Sequence, residues 1–384
     1  MSMHVGYFCN WAIYARKSFP KDVDVASLSH ILYAFADVRA ETGEVFLTDK
    51  WADEDIHYDG DSWNDPPGGL YGNFKQFALL KRQHRHLKLL LSIGGWTYSP
   101  HFAFASDPAK RTKFVQTAVQ ILEDYGLDGL DVDWEYPANK EQGAQFVDLL
   151  RELRAALDAA ARKRTEPGTK FWLTIAAPCG PSNIENLDVA GMEPHLDAIM
   201  LMAYDYSGSW ESTAGHQAKV HGPAPSTEDA VSRYLSAGVP SSKLVQGLPL
   251  YGRAFTNTDG PGTPFQGVGE GSWEAGVHDW KVLPHSGESI RVHEDMNVLA
   301  SWEYDNKTRT MVSFDTTRVL EAKVDWAKSK GLGGAMWWEL SADRPGEQSA
   351  IRAVARKLGP LDQTPNCISY PDSKFSNMRN GFAS

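Results

Sequence analysis

Apolar and polar positions along the chain fall into two alternating periods. Short strand-like runs recur eight times, at His4–Phe8, Leu28–Ala36, Lys88–Ile93, Leu127–Glu135, Phe171–Ala177, Asp197–Tyr204, Lys243–Leu250 and Gly333–Trp338. Stretches with helical spacing lie between most of them. Asp107-Pro108 predicts the start of one helix, with Phe114, Ala118, Val119 and Leu122 on its buried side and Gly126 past its end. Phe146, Leu149, Leu150, Leu153 and Leu157 give the next helix its stripe. Ser226 with Asp229 predicts a third start, which Gly238 stops. Eight strands alternating with helices predict an α/β chain folded as a (β/α)8 TIM barrel, with an open doubly wound sheet as the alternative.

The rhythm breaks at 254–310. That segment is rich in Gly, Pro and Trp and holds no helix of barrel length. It is expected to form a small inserted α+β lobe between strand 7 and helix 7. Residues 1–253 and 311–358 would then make the barrel, and 359–384, rich in Pro, Asn and Ser, would wrap its surface.

One strand uses its inward face unusually. In Asp128–Glu135 a period of two puts Leu130, Val132 and Trp134 on one face and Asp131, Asp133 and Glu135 on the other. A strand covered on both faces normally reads as an apolar run, and unpaired buried carboxylates are costly. Neighbouring carboxyls on one face lie roughly 6–7 Å apart, so at least one pKa should rise. Such a row suits acid–base chemistry. The bland alternative is an edge strand with a solvated acidic face; the apolar flanks argue against it, as does Asp128, out of register and expected as a support residue.

Barrel chemistry sits at the carboxyl ends of the strands. There the chain places Tyr7-Phe8-Cys9-Asn10-Trp11, Ser92-Ile93-Gly94-Gly95-Trp96, Met202-Ala203-Tyr204-Asp205-Tyr206, Tyr251-Gly252-Arg253 and Met336-Trp337-Trp338-Glu339. Aromatic faces beside fixed hydrogen-bonding groups suit sugar rings. Singly, each has a plain reading. Gly94-Gly95 could be a tight turn, Met202 a filler, and alternation sends one of Trp337 and Trp338 into the core. Five strand ends together leave less room for that.

Composition narrows the field. The 384 residues are 42% hydrophobic and 23% charged, with a net charge of −11, which disfavours a nucleic-acid partner. No run approaches a membrane span. Cys9, Cys179 and Cys367 form no Cys-x-x-Cys pair, the histidines have no metal spacing, and buried free thiols are the expectation for Cys9 and Cys179. Asp59–Asp65 is acidic but lacks the spacing, central glycine and closing Glu of a calcium loop. Gly267–Gly271 follows no dinucleotide pattern. Asn306-Lys307-Thr308 is a glycosylation sequon that matters only after export.

Asp128-Gly-Leu-Asp131-Val-Asp133-Trp-Glu135 resembles the Asp-x-x-Asp-x-Asp-x-Glu signature of glycoside hydrolase family 18, and Ser92-Ile-Gly-Gly95 resembles its second signature. Met202-Ala-Tyr204-Asp205, Tyr251-Gly-Arg253, Trp338 and the inserted lobe fit further family features. The likeness spans nearly the whole chain and is nearest to fungal chitinases of the bacterial-like subgroup. It implies that Glu135 is the general acid and base. Asp133 would orient the substrate's N-acetyl group with Asp131 behind it, and Tyr204 and Asp205 would assist there. Trp338 would floor the cleaved sugar, Trp96 would stack a sugar across the cut, and Arg253, Met202, Tyr7 and Gly95 would line the subsites. The implied activity is cleavage of β-1,4 bonds in chitin and chito-oligosaccharides by a monomer, without metal or cofactor and without a membrane. Export is favoured by the likeness, but Met1–Phe8 enters a strand at once and reads as no signal peptide, so an intracellular form stays open. Two rivals are a chitin-binding lectin, which would lack the acid at Glu135, and an endoglycosidase for N-linked glycans, against which the lobe, Trp96 and Trp338 argue.

Overall fold

The computed structural model describes residues 1–62, 68–164, 166 and 168–382. Strands β1 (Met3–Cys9) and β2 (His30–Val38) open the barrel, and β3 (Val45–Leu47) folds back antiparallel on the end of β2. They are followed by β4 (Lys88–Gly94), β5 (Gly129–Asp133), β6 (Trp172–Ala177), β7 (Ala198–Leu201) and β8 (Leu244–Pro249). A second, antiparallel sheet holds β9 (Tyr251–Phe255), β10 (Val277–Asp279), β11 (Ile290–Asp295), β12 (Ala300–Asp305) and β13 (Thr310–Ser313). Last, β14 (Gly334–Trp338) pairs parallel with both β8 and β1, while β1 pairs with β2. The ring is thus a closed eight-stranded parallel barrel, and the open-sheet alternative is excluded.

The sequence explains the layers. Leu89, Leu91, Ile93, Leu130, Val132 and Trp134 lie in the core between barrel and helices, while Val5, Tyr7, Leu32, Leu90, Met200, Val245 and Met336 fill the barrel interior. The main covering helices on the first half are α1 (Gly72–Gln83), α2 (Pro108–Tyr125) and α3 (Lys140–Arg162). Asp107 caps α2 by accepting from the Ala109 and Lys110 N–H groups, and Gly126 ends it at φ 71°. Between β6 and β7 the cover shrinks to α4 (Pro181–Glu185) and α5 (Val189–Met192). Helices α6 (Thr227–Ser236), α7 (Thr317–Ser329) and α8 (Ala350–Leu358) complete the layer.

The second sheet runs from Tyr251 to Ser313, three residues beyond 254–310 at each end. Its order is β10-β9-β13-β12-β11. Among the described residues its only helical piece is the 3-10 turn Trp280–Val282, so the helical part of an α+β lobe reduces to that turn.

Residues 359–382 cross the amino end of the barrel. Asn366 donates to the Lys81 and Leu87 carbonyls at 2.8 and 2.7 Å, and the Cys367 N–H donates to Asp128 Oδ1 at 2.8 Å. Asp128 also pairs with Lys81 at 2.7 Å and accepts from the Leu89 N–H at 2.8 Å. Asp128 therefore fastens the bottom of the barrel and does not support the acidic row above it. All three cysteines are buried and free. In the acidic loop Asp61 pairs with Lys75, while Trp63, Asn64 and Asp65 lie outside the described residues. Among the described residues no group of side chains is placed to hold a metal, and no helix is long and apolar enough to cross a membrane.

Candidate active site

At the carboxyl end of β5 the acidic row points into the barrel. Asp131 is fully buried and saturated with donors. Tyr7 Oη and Ser92 Oγ donate to Oδ2 at 3.0 and 2.7 Å, and Thr174 Oγ1 donates to Oδ1 at 2.6 Å. Burial pushes its pKa up, and those three donors pull it back. One turn of the pleat further, Asp133 is 3% exposed and its Oδ1 has no protein partner. Its pKa rises well above the usual carboxylate range through burial, then through the charges of Glu135 and Asp131.

The strand ends at Asp133, so Glu135 sits just beyond it, and its carboxyl shares a hydrogen bond with that of Asp133. Burial, then the charge of Asp205, pushes Glu135 up to about 7, while hydrogen bonds from Tyr136 and Asp133 oppose the rise. Its backbone is pinned: the Glu135 N–H donates to Ser99 Oγ at 2.7 Å, and that hydroxyl donates to the Gly95 carbonyl at 2.8 Å. Gly95 in turn donates its N–H to the Asp133 carbonyl at 2.9 Å. The glycines are required here. Gly94 has φ 118°, and a Cβ on it would stand 2.1 Å from the Asp133 carbonyl oxygen. The pair is therefore more than a tight turn, since it presses β4 against the acidic strand.

The other anticipated residues join this centre. Trp338 stands at the end of β14 with its ring 5.2 Å from Tyr7, edge to face, and 5.6 Å from Phe35, stacked. Trp337 points the other way, fully buried, its Nε1–H donating to His4 Nε2 at 2.6 Å. Tyr204 is buried beside Tyr251 and reaches the Met336 sulfur at 3.9 Å, with Met202 packed nearby. Asp205, at φ 60°, accepts from Tyr251 Oη at 2.6 Å and Arg253 Nε at 2.7 Å. Trp96 is 73% exposed on a cleft of about 540 Å³ that Glu135, Tyr136, Trp134 and Gln142 also line.

Several contributors escape a reading of the sequence. Thr174 is the clearest: it stands in register with Asp131 across β5 and β6, a pairing that needs the strand alignment. Ser99 and Tyr136 lie off the strands, and Phe35 lies toward the end of β2, whose tip carries no motif. Trp210, 57% exposed, lies under the Arg253 guanidinium at 4.9 Å, with only its residue type as a signal.

An acid that keeps its proton near neutrality beside a second carboxyl is chemically able to protonate a glycosidic oxygen, and this barrel end holds such a pair. The chain belongs to the glycosyl hydrolases family 18, whose profile matches residues 3–343. It is 47% identical to endochitinase 1 of Metarhizium robertsii over 98% of this chain and 90% of that protein. Chitinase 1 of Aphanocladium album is 45% identical with the same coverage. Among solved structures, the catalytic domain of a psychrophilic chitinase B from Arthrobacter TAD20 superposes with a TM-score of 0.86 at 29% identity, covering 95% of this chain and 98% of that one. A class V chitinase from Nicotiana tobaccum, solved as a mutant in complex with NAG4, has a TM-score of 0.81 at 25% identity, with 94% and 99% covered.

Proposed function

We propose that this chain is a chitinase that hydrolyses β-1,4 bonds between N-acetylglucosamine units in chitin and chito-oligosaccharides, with retention at the anomeric carbon. The observation that carries the reading is the buried Oδ1 of Asp133, which lacks a protein partner beside an acid held up to about 7. An orphaned buried acceptor is costly unless a ligand donor meets it, and the N–H of a 2-acetamido group is such a donor. The names of the fungal relatives and the NAG4 complex of the tobacco enzyme support the substrate class.

In this mechanism the acetamido oxygen attacks C1 while Glu135 gives its proton to the leaving oxygen, breaking the glycosidic bond and closing an oxazolinium ring. Asp133 holds the acetamido N–H and offsets the positive charge, with Asp131 fixed behind it. Water then attacks C1 and passes its proton to Glu135, and the ring opens. Asp133 at the end of β5 and Glu135 just beyond it bring both carboxyls to the sugar from nearly the same side, a poor arrangement for a protein nucleophile, whereas an intramolecular nucleophile gains from proximity. Tyr204 and Asp205 serve the acetamido group, Trp338 floors the cleaved sugar, Trp96 stacks across the cut, and Tyr7, Gly95, Met202 and Arg253 line the subsites. Mass spectrometry of products from chitin oligomers, run beside a high-mannose glycopeptide, tests the substrate; only the oligomers should be cut. Proton NMR of fresh product should find the β anomer first. An α product would overturn the substrate-assisted route.

A further inference from the structure

Just past the exit of β14, one arginine ties together three separate parts of the molecule. Arg16 lies in the loop after β1, and its Nη1 donates to Glu339 Oε1 at 3.2 Å and to Asp279 Oδ1 at 3.5 Å. Glu339 is the residue after Trp338, and Asp279 ends β10 of the antiparallel sheet. The Arg16 guanidinium covers the Trp273 ring at 4.8 Å, and Trp273 Nε1 donates to the second oxygen of Asp279 at 2.9 Å. Both carboxylates are buried, where a nearby cation offsets their desolvation, and a planar guanidinium can bridge two acceptors while stacking on a ring. The same seam is sewn again beside it. Lys281 reaches Asp279 at 3.2 Å and donates to the Ser341 carbonyl at 2.7 Å, and Arg344 Nε donates to the Lys281 carbonyl at 3.1 Å.

We propose that Arg16 is a positioning residue that clamps the antiparallel lobe to the exit of β14. By fixing the lobe there, it sets the width of the saccharide cleft beside the Trp338 floor. The inference rests on the reading of this cleft as a chitin site. Arg16 meets no member of the acid–base row, so it acts on how tightly the chain is held and not on proton transfer. Loosening the lobe should weaken ground state and transition state alike, which raises KM and leaves kcat in place. A brace that serves folding alone would lower Tm and leave KM where it was.

The test is steady-state kinetics on chitin oligomers for wild type and Arg16→Met. Oligomer Kd is measured by calorimetry in a Glu135→Gln background with and without the Arg16 change. Arg16→Met should raise KM and Kd about tenfold, the scale expected of a misplaced binding wall, with kcat within about twofold and both limbs of the pH profile unmoved. Arg16→Lys should recover only part of the affinity, because an ammonium cannot span both carboxylates and the ring. If Arg16→Met does not fold, Asp279→Asn, which conserves volume, should produce the same KM rise. Unchanged KM and Kd in a folded variant overturn the clamp, as does a shifted pH profile. Cleavage by the wild type with unmoved affinity in the variant sinks the clamp alone. Absence of both cleavage and oligomer binding in the wild type sinks the functional reading and the clamp with it.

Discussion

At the scale of single residues, the site turns on two carboxyls that cannot both give up their protons easily. Glu135→Gln keeps the shape and removes the proton, so turnover should fall by at least ~10²–10⁴, the loss typical of a general acid. Affinity for chitin oligomers should hold, because Trp96 and Trp338 are untouched; a variant retaining more than a tenth of the rate would sink the assignment. Asp133→Asn acts on the same proton. Burial of both groups, and the charge of Glu135 on Asp133, hold the pair's last proton above the usual carboxylate range. With an amide at 133 no second carboxylate shares it, so the alkaline limb of kcat/KM should move toward acid. A limb that stays in place would mean that the two groups do not titrate together. Most of these residues were legible in the sequence because acids on an inward strand face are rare. The groups that hold them were not: Thr174, which donates to Asp131, and Ser99, which accepts from the Glu135 N–H, are ordinary residue types, made relevant only by register and by a turn.

At the scale of elements, period-two reasoning locates the strands well and their ends less well. The expected run Leu127–Glu135 is strand only over Gly129–Asp133, because alternation continues through residues that no longer pair with a neighbour. The antiparallel sheet shows in the sequence only as a gap in the barrel rhythm, since its strands β10 and β13 are three and four residues long, too short for a pattern. Alternation leaves Trp337 and Trp338 undecided, and the structure separates them. Trp338→Ala should lose most of the activity with a modest effect on stability, since the ring is part-exposed at the barrel mouth. Trp337→Ala removes a fully buried indole and its bond to His4, so it should cost ~3–5 kcal/mol of stability while the folded fraction keeps its specific activity. Denaturant unfolding beside active-site titration separates the two. Equal specific-activity losses in folded protein would mean that the faces of β14 have been misassigned.

For the molecule as a whole, the buried ionisable groups set a stability profile against pH whose sign can be worked out. Burial pushes Asp53 up to about 7, from an ordinary value of 3.8, against donors from Tyr33 and Asn10; Glu135 is likewise at about 7. A carboxyl raised on folding contributes stability that is complete below its unfolded pKa and is lost as pH climbs through its folded one. Asp53 and Glu135 thus weaken the fold progressively from about pH 4 to pH 7 and beyond. Histidines lowered by burial pull the other way. His4 and His216 are lowered to about 4, chiefly by burial, so their contribution is complete above 6.5 and fades as pH falls toward 4. Between those limits the two sets oppose each other, and above 6.5 these histidines no longer oppose the carboxyls. Thermal unfolding should therefore give a broad plateau in mildly acidic buffer and a falling Tm from about pH 6.5 to 8. Glu135→Gln removes one of the responsible protons. Its Tm should match wild type near about pH 4.5 and exceed it increasingly toward about pH 8, the stability that a buried carboxyl held protonated withholds from the fold. A Tm difference between the two proteins that does not change with pH would show that Glu135 ionises in the folded protein as it does in the unfolded chain.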